Sequence, residues 1–160
     1  MAKSGVRSAE IAELADEILA EKNFNFSLKS EQLKVISTLI SGQDVFAIFP
    51  TGFGKSICYT LVPLILDRLK PDKDHMCVVV SPLKALIRDQ MRSLQDHLVL
   101  CSDINPETTL PEIENILSGN TSVDFTTPEM AVTPRWRDEY AKLQDKICCV
   151  AYDEAHCISE

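Results

Sequence analysis

Val45-Phe46-Ala47-Ile48-Phe49 is an unbroken apolar run, and Pro50-Thr51-Gly52-Phe53-Gly54-Lys55-Ser56 follows it directly. A continuous apolar run of that length predicts a strand buried on both faces, as parallel sheets require. The turn after it reads as a phosphate loop. Its backbone N–H groups would cradle phosphate oxygens, Lys55 would meet the β- and γ-phosphates, and the Ser56 hydroxyl would ligate Mg²⁺. A Gly-Lys-Ser triplet also recurs by chance, so a second feature has to decide. It lies about a hundred residues downstream, where Ile147-Cys148-Cys149-Val150-Ala151-Tyr152 runs into Asp153-Glu154-Ala155-His156. Two carboxylates at a strand's carboxyl end stand where open α/β sheets bind ligands. Together the halves describe a nucleoside-triphosphate site.

Working outward, Ile11, Leu14, Ala15, Ile18 and Leu19 make the stripe of an amphipathic helix over 8–22, with Ser8 as its N-cap. A second helix is expected from Ser30 to Ser41, stopping at Gly42. A third should begin near Lys55, and Pro63 should bend or end it. Met76 to Val80 predicts a strand, and Ser81-Pro82 opens a helix through about Gln95. Leu98 to Cys101 reads as an edge strand. Thr109 should cap a helix that has Pro111 in its first turn and Gly119 after it. Val123-Asp124-Phe125 is a short strand leading into Thr127-Pro128-Glu129. Strands alternating with helices argue an α/β fold, a mostly parallel sheet with helices on both faces.

Composition bounds the partners. The 160 residues suit one domain, and 45% apolar with 25% charged residues is ordinary for a globular chain. Sixteen Lys and Arg against 24 Asp and Glu leave a net charge of −8, so no general basic surface advertises nucleic acid. Such contact must come from a local groove and backbone donors. No apolar segment reaches membrane-span length, and the amino terminus carries no signal-peptide core. Six cysteines include no C-x-x-C pair, and three lie in apolar strand-like runs. They read as buried reduced thiols in an intracellular compartment.

Phe49 to Ser56 departs from the strict G-x-x-x-x-G-K-[ST] pattern, since Phe49 holds the first glycine's place. It matches the relaxed P-T-G-x-G-K-[ST] form of superfamily 2 helicases. Val79-Val80-Ser81-Pro82-Leu83-Lys84-Ala85-Leu86-Ile87-Arg88-Asp89-Gln90 resembles the V-V-S-P-L-x-A-L-x-x-D-Q of RecQ-type helicases. Thr127-Pro128-Glu129 is similar to their T-P-E element, and Asp153 to Ser159 to their D-E-A-H-C-I-S. The resemblance implies a RecA-like P-loop lobe, truncated after the D-E-A-H strand. It divides the chain into an amino-terminal helical extension (1–27) and a partial helicase ATP-binding domain (28–160). ATP and Mg²⁺ are the implied cofactors. Single-stranded or forked DNA is the implied partner, with a nuclear location if the source is eukaryotic and roles in DNA repair and recombination. The second helicase lobe and its arginine finger are missing, so an inactive fragment is expected.

Residue by residue, the resemblance gives Lys55 the γ-phosphate and Ser56 and Asp153 the Mg²⁺, directly or through water. Thr51, Gly52, Phe53 and Gly54 complete the loop. Glu154 orients and deprotonates the attacking water, and His156 links the γ-phosphate to the DNA side. Gln32, 23 residues before Lys55, holds the family's adenine-reading place; a glutamine amide can pair with adenine N6 and N7. Where the family has an aromatic-Gly and then Phe-Arg ahead of that glutamine, Asn23-Phe24 and Leu28-Lys29 stand here. Phe24 and Phe26 are candidates for stacking on the base or for the core. Ser81 and Thr127 precede helix starts that suit phosphate, and Lys84 and Arg88 lie one turn apart. Two other readings stay open: a non-catalytic nucleotide- or partner-binding remnant, and a superfamily 2 RNA helicase lobe.

Overall fold

The computed structural model describes residues 8–50, 53–118 and 120–153. Among these, one sheet is formed by β1 (Met76–Val80), β2 (Cys101–Asp103), β3 (Val123–Thr126) and β4 (Ile147–Tyr152), in the order β2-β3-β1-β4. All three pairings are parallel. Helices α1 (Ser8–Glu21), α2 (Ser30–Ile40), α3 (Lys55–Leu69), α4 (Lys84–Asp96), α5 (Leu110–Leu117), α6 (Pro128–Ala131) and α7 (Pro134–Lys142) alternate with them. The α/β architecture expected from the alternation is the one observed.

Strand alternation decides which helices cover which face. Cys77 and Val79 of β1 point into a core with Tyr59 of α3, Ile87 and Leu94 of α4, and Val123 and Phe125 of β3. Met76, Val78 and Val80 point the other way, against Ile113 and Ile116 of α5 and Trp136 of α7. Both faces of β1 are therefore dry, and its five residues are apolar without exception. The stripe of α1 (Ile11, Ala15, Ile18, Leu19) packs with Ile36 of α2 and Leu61, Val62 and Ile65 of α3. Residues 8–21 thus share the core of the remaining chain. A bulge sets Met76 opposite Ile147 but Cys77 opposite Cys149, which leaves Cys148 as the extra residue. The five described cysteines are free thiols.

β1 and β4 keep the bounds their apolar runs predict, and α3 begins at Lys55. Gly42 ends α2 with φ of +86°, as a C′ glycine should. Helix α3 runs through Pro63 to Leu69, because nine buried side chains hold it in place. The edge strand falls at Cys101–Asp103, not at Leu98–Cys101, since Leu98 takes a positive φ of 56° and leaves the extended conformation.

One expectation is corrected outright. Val45–Phe49 is no strand and is not buried on both faces: residues 43–50 pair with nothing in the sheet. Phe46 is 84% and Ile48 82% exposed. The physical reason is a gap. A cavity of about 490 Å³ separates this segment from β4, lined by Val45, Phe46, Phe49, Val150 and Tyr152. An apolar run becomes a strand only where a neighbour supplies the ladder.

Candidate nucleotide site and nucleic-acid groove

Lys55 is the first residue of α3, and Gly54 before it adopts a left-handed φ of +85°. That φ favours glycine, and a Cβ on Gly54, 2.7 Å from Gln32 Nε2, would also displace the glutamine amide. Asp153 follows β4, its N–H bonded to the Val80 carbonyl at 3.0 Å, one step past the end of the strand. Lys55 and Asp153 line the same cavity beside the β4 edge. Two halves about a hundred residues apart in sequence are brought together at one place. Cys58, one turn into α3, also lines it, and burial pushes its thiol up to about 11, which keeps it protonated and inert.

Gln32 is 3% exposed and its amide is fully engaged. Nε2 donates to the carbonyls of Phe53 (3.0 Å) and Gly54 (3.1 Å), while Oε1 accepts from Lys29 N–H (2.8 Å). It therefore ties the start of α2 to the phosphate loop. Phe53, the unusual aromatic of that loop, lies between two neighbours. The Lys29 ammonium sits 3.9 Å from its ring centroid, and the Phe49 ring is 4.6 Å away. Lys29, one of the places where this chain departs from the resembled pattern, thus forms a cation–π pair with Phe53 of the loop. Phe24 instead stacks on His97 at 3.8 Å, with Phe26 against its edge.

Sequence reasoning assigned no role to Tyr59 or Gln90. Tyr59 Oη donates to Gln90 Oε1 at 3.0 Å, and Gln90 Nε2 donates to Asp153 Oδ2 at 2.9 Å. Gln90 was visible as the last residue of the quoted α4 motif. Its partner was not, because 63 residues separate it from Asp153.

A second cavity of about 450 Å³ opens beyond the carboxyl ends of β1 and β3. Lys84 and Arg88 of α4 and Thr127 line it, together with Asp103, Glu107 and Glu129. The charge there is mixed. Burial raises the Asp103 carboxyl above its ordinary range, against the pull of Asn105, Arg88 and Lys84. Ser81 is 1% exposed and lies beneath the surface; Thr127 Oγ1 accepts from Met130 N–H as the cap of α6. Thr51, Gly52, Glu154 and His156 lie outside the described residues. No helix among the described residues is long and apolar enough to cross a membrane.

The DEAD/DEAH box helicase profile matches residues 29–160. The chain belongs to the DEAD/DEAH box helicase family. Among curated members it is similar to the ATP-dependent DNA helicase RecQ of Haemophilus influenzae, 32% identical over 84% of this chain and 21% of that protein. The RecQ-like DNA helicase blm-1 of Caenorhabditis elegans is 32% identical over 92% of this chain and 15% of its own length. A putative ATP-dependent RNA helicase of Acanthamoeba polyphaga mimivirus is 33% identical over 83% of this chain and 23% of its own. The chain thus spans a quarter or less of these relatives, and the RecQ resemblance read from its motifs is borne out. In fold, it is similar to the DUF1998 helicase MrfA bound to DNA and AMPPNP. The TM-score is 0.68 at 21% identity, over 92% of this chain and 21% of MrfA.

Proposed function

We propose that this helicase-family chain supplies the ATP-binding lobe of a RecQ-type 3′–5′ DNA helicase, in which ATP hydrolysis drives strand separation. The observation that carries the reading is the convergence of Lys55 and Asp153 on one cavity at the sheet's carboxyl end. Phosphoryl transfer is mostly positioning and charge stabilisation, and these residues suit both tasks. Lys55 neutralises the γ-phosphate. Thr51, Gly52, Phe53 and Gly54 present backbone N–H groups to it, and Glu154 orients and deprotonates water, with His156 relaying to the DNA side. Gln32 reads the adenine edge by exchanging its bonds to the loop carbonyls.

The residues present fit Mg²⁺. Among the described residues no cluster of three or more His, Cys, Asp or Glu could cage a metal. Mg²⁺ is commonly held by one or two carboxylates plus substrate phosphates, which matches a donor set of Asp153 and Ser56. When bound it supplies positive charge for the phosphate oxygens. Lys84, Arg88 and Thr127 grip the strand's phosphates, and Ser81 shapes the turn that presents α4. These roles place the protein inside the cell, and in the nucleus of a eukaryote, in DNA repair and recombination. Turnover needs a cation opposite the γ-phosphate. Arg135 and Arg137 are poor substitutes for it, since both lie on α7, across the sheet from α3, with Arg135 over Trp136. The chain alone is therefore expected to turn over slowly.

RNA as the strand is a second reading, favoured by the 33% identity to the viral putative RNA helicase. The test is ATPase activity of the longer protein that carries this chain, with single-stranded DNA or RNA as stimulant. Lys55→Ala should cost about 3–4 kcal/mol of transition-state stabilisation. Glu154→Gln should bind ATP but not turn it over. Normal activity in Lys55→Ala sinks the nucleotide site; stimulation by RNA alone selects the second reading.

A further inference from the structure

Tyr59, Gln90 and Asp153 form a chain of hydrogen bonds joining α3, α4 and the end of β4. Its polarity is set from one end. An ionised carboxylate only accepts, so the Gln90 amide must turn its nitrogen to Asp153. Its oxygen then faces Tyr59, whose hydroxyl has to donate. Tyr59 is buried, one turn along α3 from Lys55, and cannot swing away. Ser56, Tyr59 and Gln90 also line one cavity of about 190 Å³ between α3 and α4. Gln90, which holds Asp153, thus faces the same cavity as Ser56.

Helix α4 presents two different sides. Lys84 and Arg88 line the groove at the ends of β1 and β3, whereas Gln90 lines the cavity with Ser56. Gln90 is accordingly no part of the strand-binding surface. A solvated glutamine would show neither a buried tyrosine donor nor a carboxylate acceptor.

We infer that Gln90 is a positioning residue for magnesium–nucleotide binding: locked by Tyr59, it sets the orientation of the Asp153 carboxylate toward the cation. The inference rests on the nucleotide-site reading above and deepens it. Groups that orient a metal ligand without touching the metal typically change metal affinity 10–100-fold when removed. Gln90 also ties the helix bearing the groove cations to the carboxylate of the nucleotide site.

The experiment titrates a fluorescent ATP analogue into the purified chain, once with Mg²⁺ and once with EDTA. Wild-type chain should bind more tightly with Mg²⁺. Gln90→Leu should lose about tenfold or more of that gain while its affinity in EDTA stays unchanged. Tyr59→Phe keeps the amide but frees its orientation, and should lose about threefold, as one neutral hydrogen bond does. It carries the test if Gln90→Leu fails to fold. Retention of the full Mg²⁺ gain in these variants overturns the inference. So does a parallel loss in EDTA, which marks a packing role, and so does a wild type indifferent to Mg²⁺. Absence of nucleotide binding by the wild type in both conditions refutes the nucleotide site itself, and the inference with it.

Discussion

Asp124→Asn should flatten the pH dependence of stability. Asp124 lies on β3 with no exposed surface, and Ser102 Oγ (2.7 Å) and Tyr140 Oη (2.9 Å) donate to its two oxygens. Burial outweighs both donors and pushes the carboxyl from 3.8 up to about 7. The sign follows from linkage. Between those values the folded chain holds a proton that the unfolded chain releases, so stability falls as pH rises. Integrating the two titrations from about pH 5 to about pH 8 gives a loss on the order of 3 kcal/mol from this one group. Asparagine keeps an acceptor for one hydroxyl and carries no charge, so the variant should lack that loss and gain on the wild type as pH rises. Urea unfolding of both chains at the two pH values measures it. Parallel pH dependence in the two chains would refute the buried-carboxyl reasoning.

Gln32→Ala strips the loop carbonyls of Phe53 and Gly54 and the Lys29 N–H of their partner. A loss of about 1–3 kcal/mol in chemical unfolding is expected, with weakened nucleotide binding. An unchanged midpoint would mean water replaces the amide. Phe46→Ser with Ile48→Ser alters side chains that are 84% and 82% exposed, so thermal stability should shift by less than about 0.5 kcal/mol for each. Aggregation should fall, because an apolar segment facing an uncovered strand edge invites association. Light scattering on heating reads this, and a large drop in melting temperature would show the run to be buried in solution.

Much of the fold was legible because its signals are local. Met76–Val80 is apolar without interruption, as a strand buried on both faces requires; Ile147–Tyr152 carries the same local signal, although Val150 and Tyr152 stay exposed beside the cavity. Thr109 ahead of Pro111 announces α5, and the structure adds a bond from Thr109 N–H to the Glu112 carboxylate at 2.6 Å. Val45–Phe49 carries the same local signal as β1, yet the missing ladder partner is a tertiary fact that no local pattern contains. The site divides in the same way. Motif and spacing point to Lys55, Asp153 and Gln32, since those chemistries need particular residues at particular places. Which carbonyls Gln32 holds, and that Lys29 covers Phe53, depends on how α2 packs against the loop. Tyr59 reads as one more apolar helix position. Only the approach of α3 to α4 turns its hydroxyl toward Gln90, 31 residues along the chain.

Calorimetric titration of ATP with Mg²⁺ into the purified chain tests most directly whether Lys55 and Asp153 make one nucleotide site. A single saturable site is expected, weakened about tenfold or more in Lys55→Ala, the scale of a charged hydrogen bond. Asp153→Asn should weaken binding only when Mg²⁺ is present. Absence of binding by the wild type, or equal binding by wild type and Lys55→Ala, would contradict the nucleotide site.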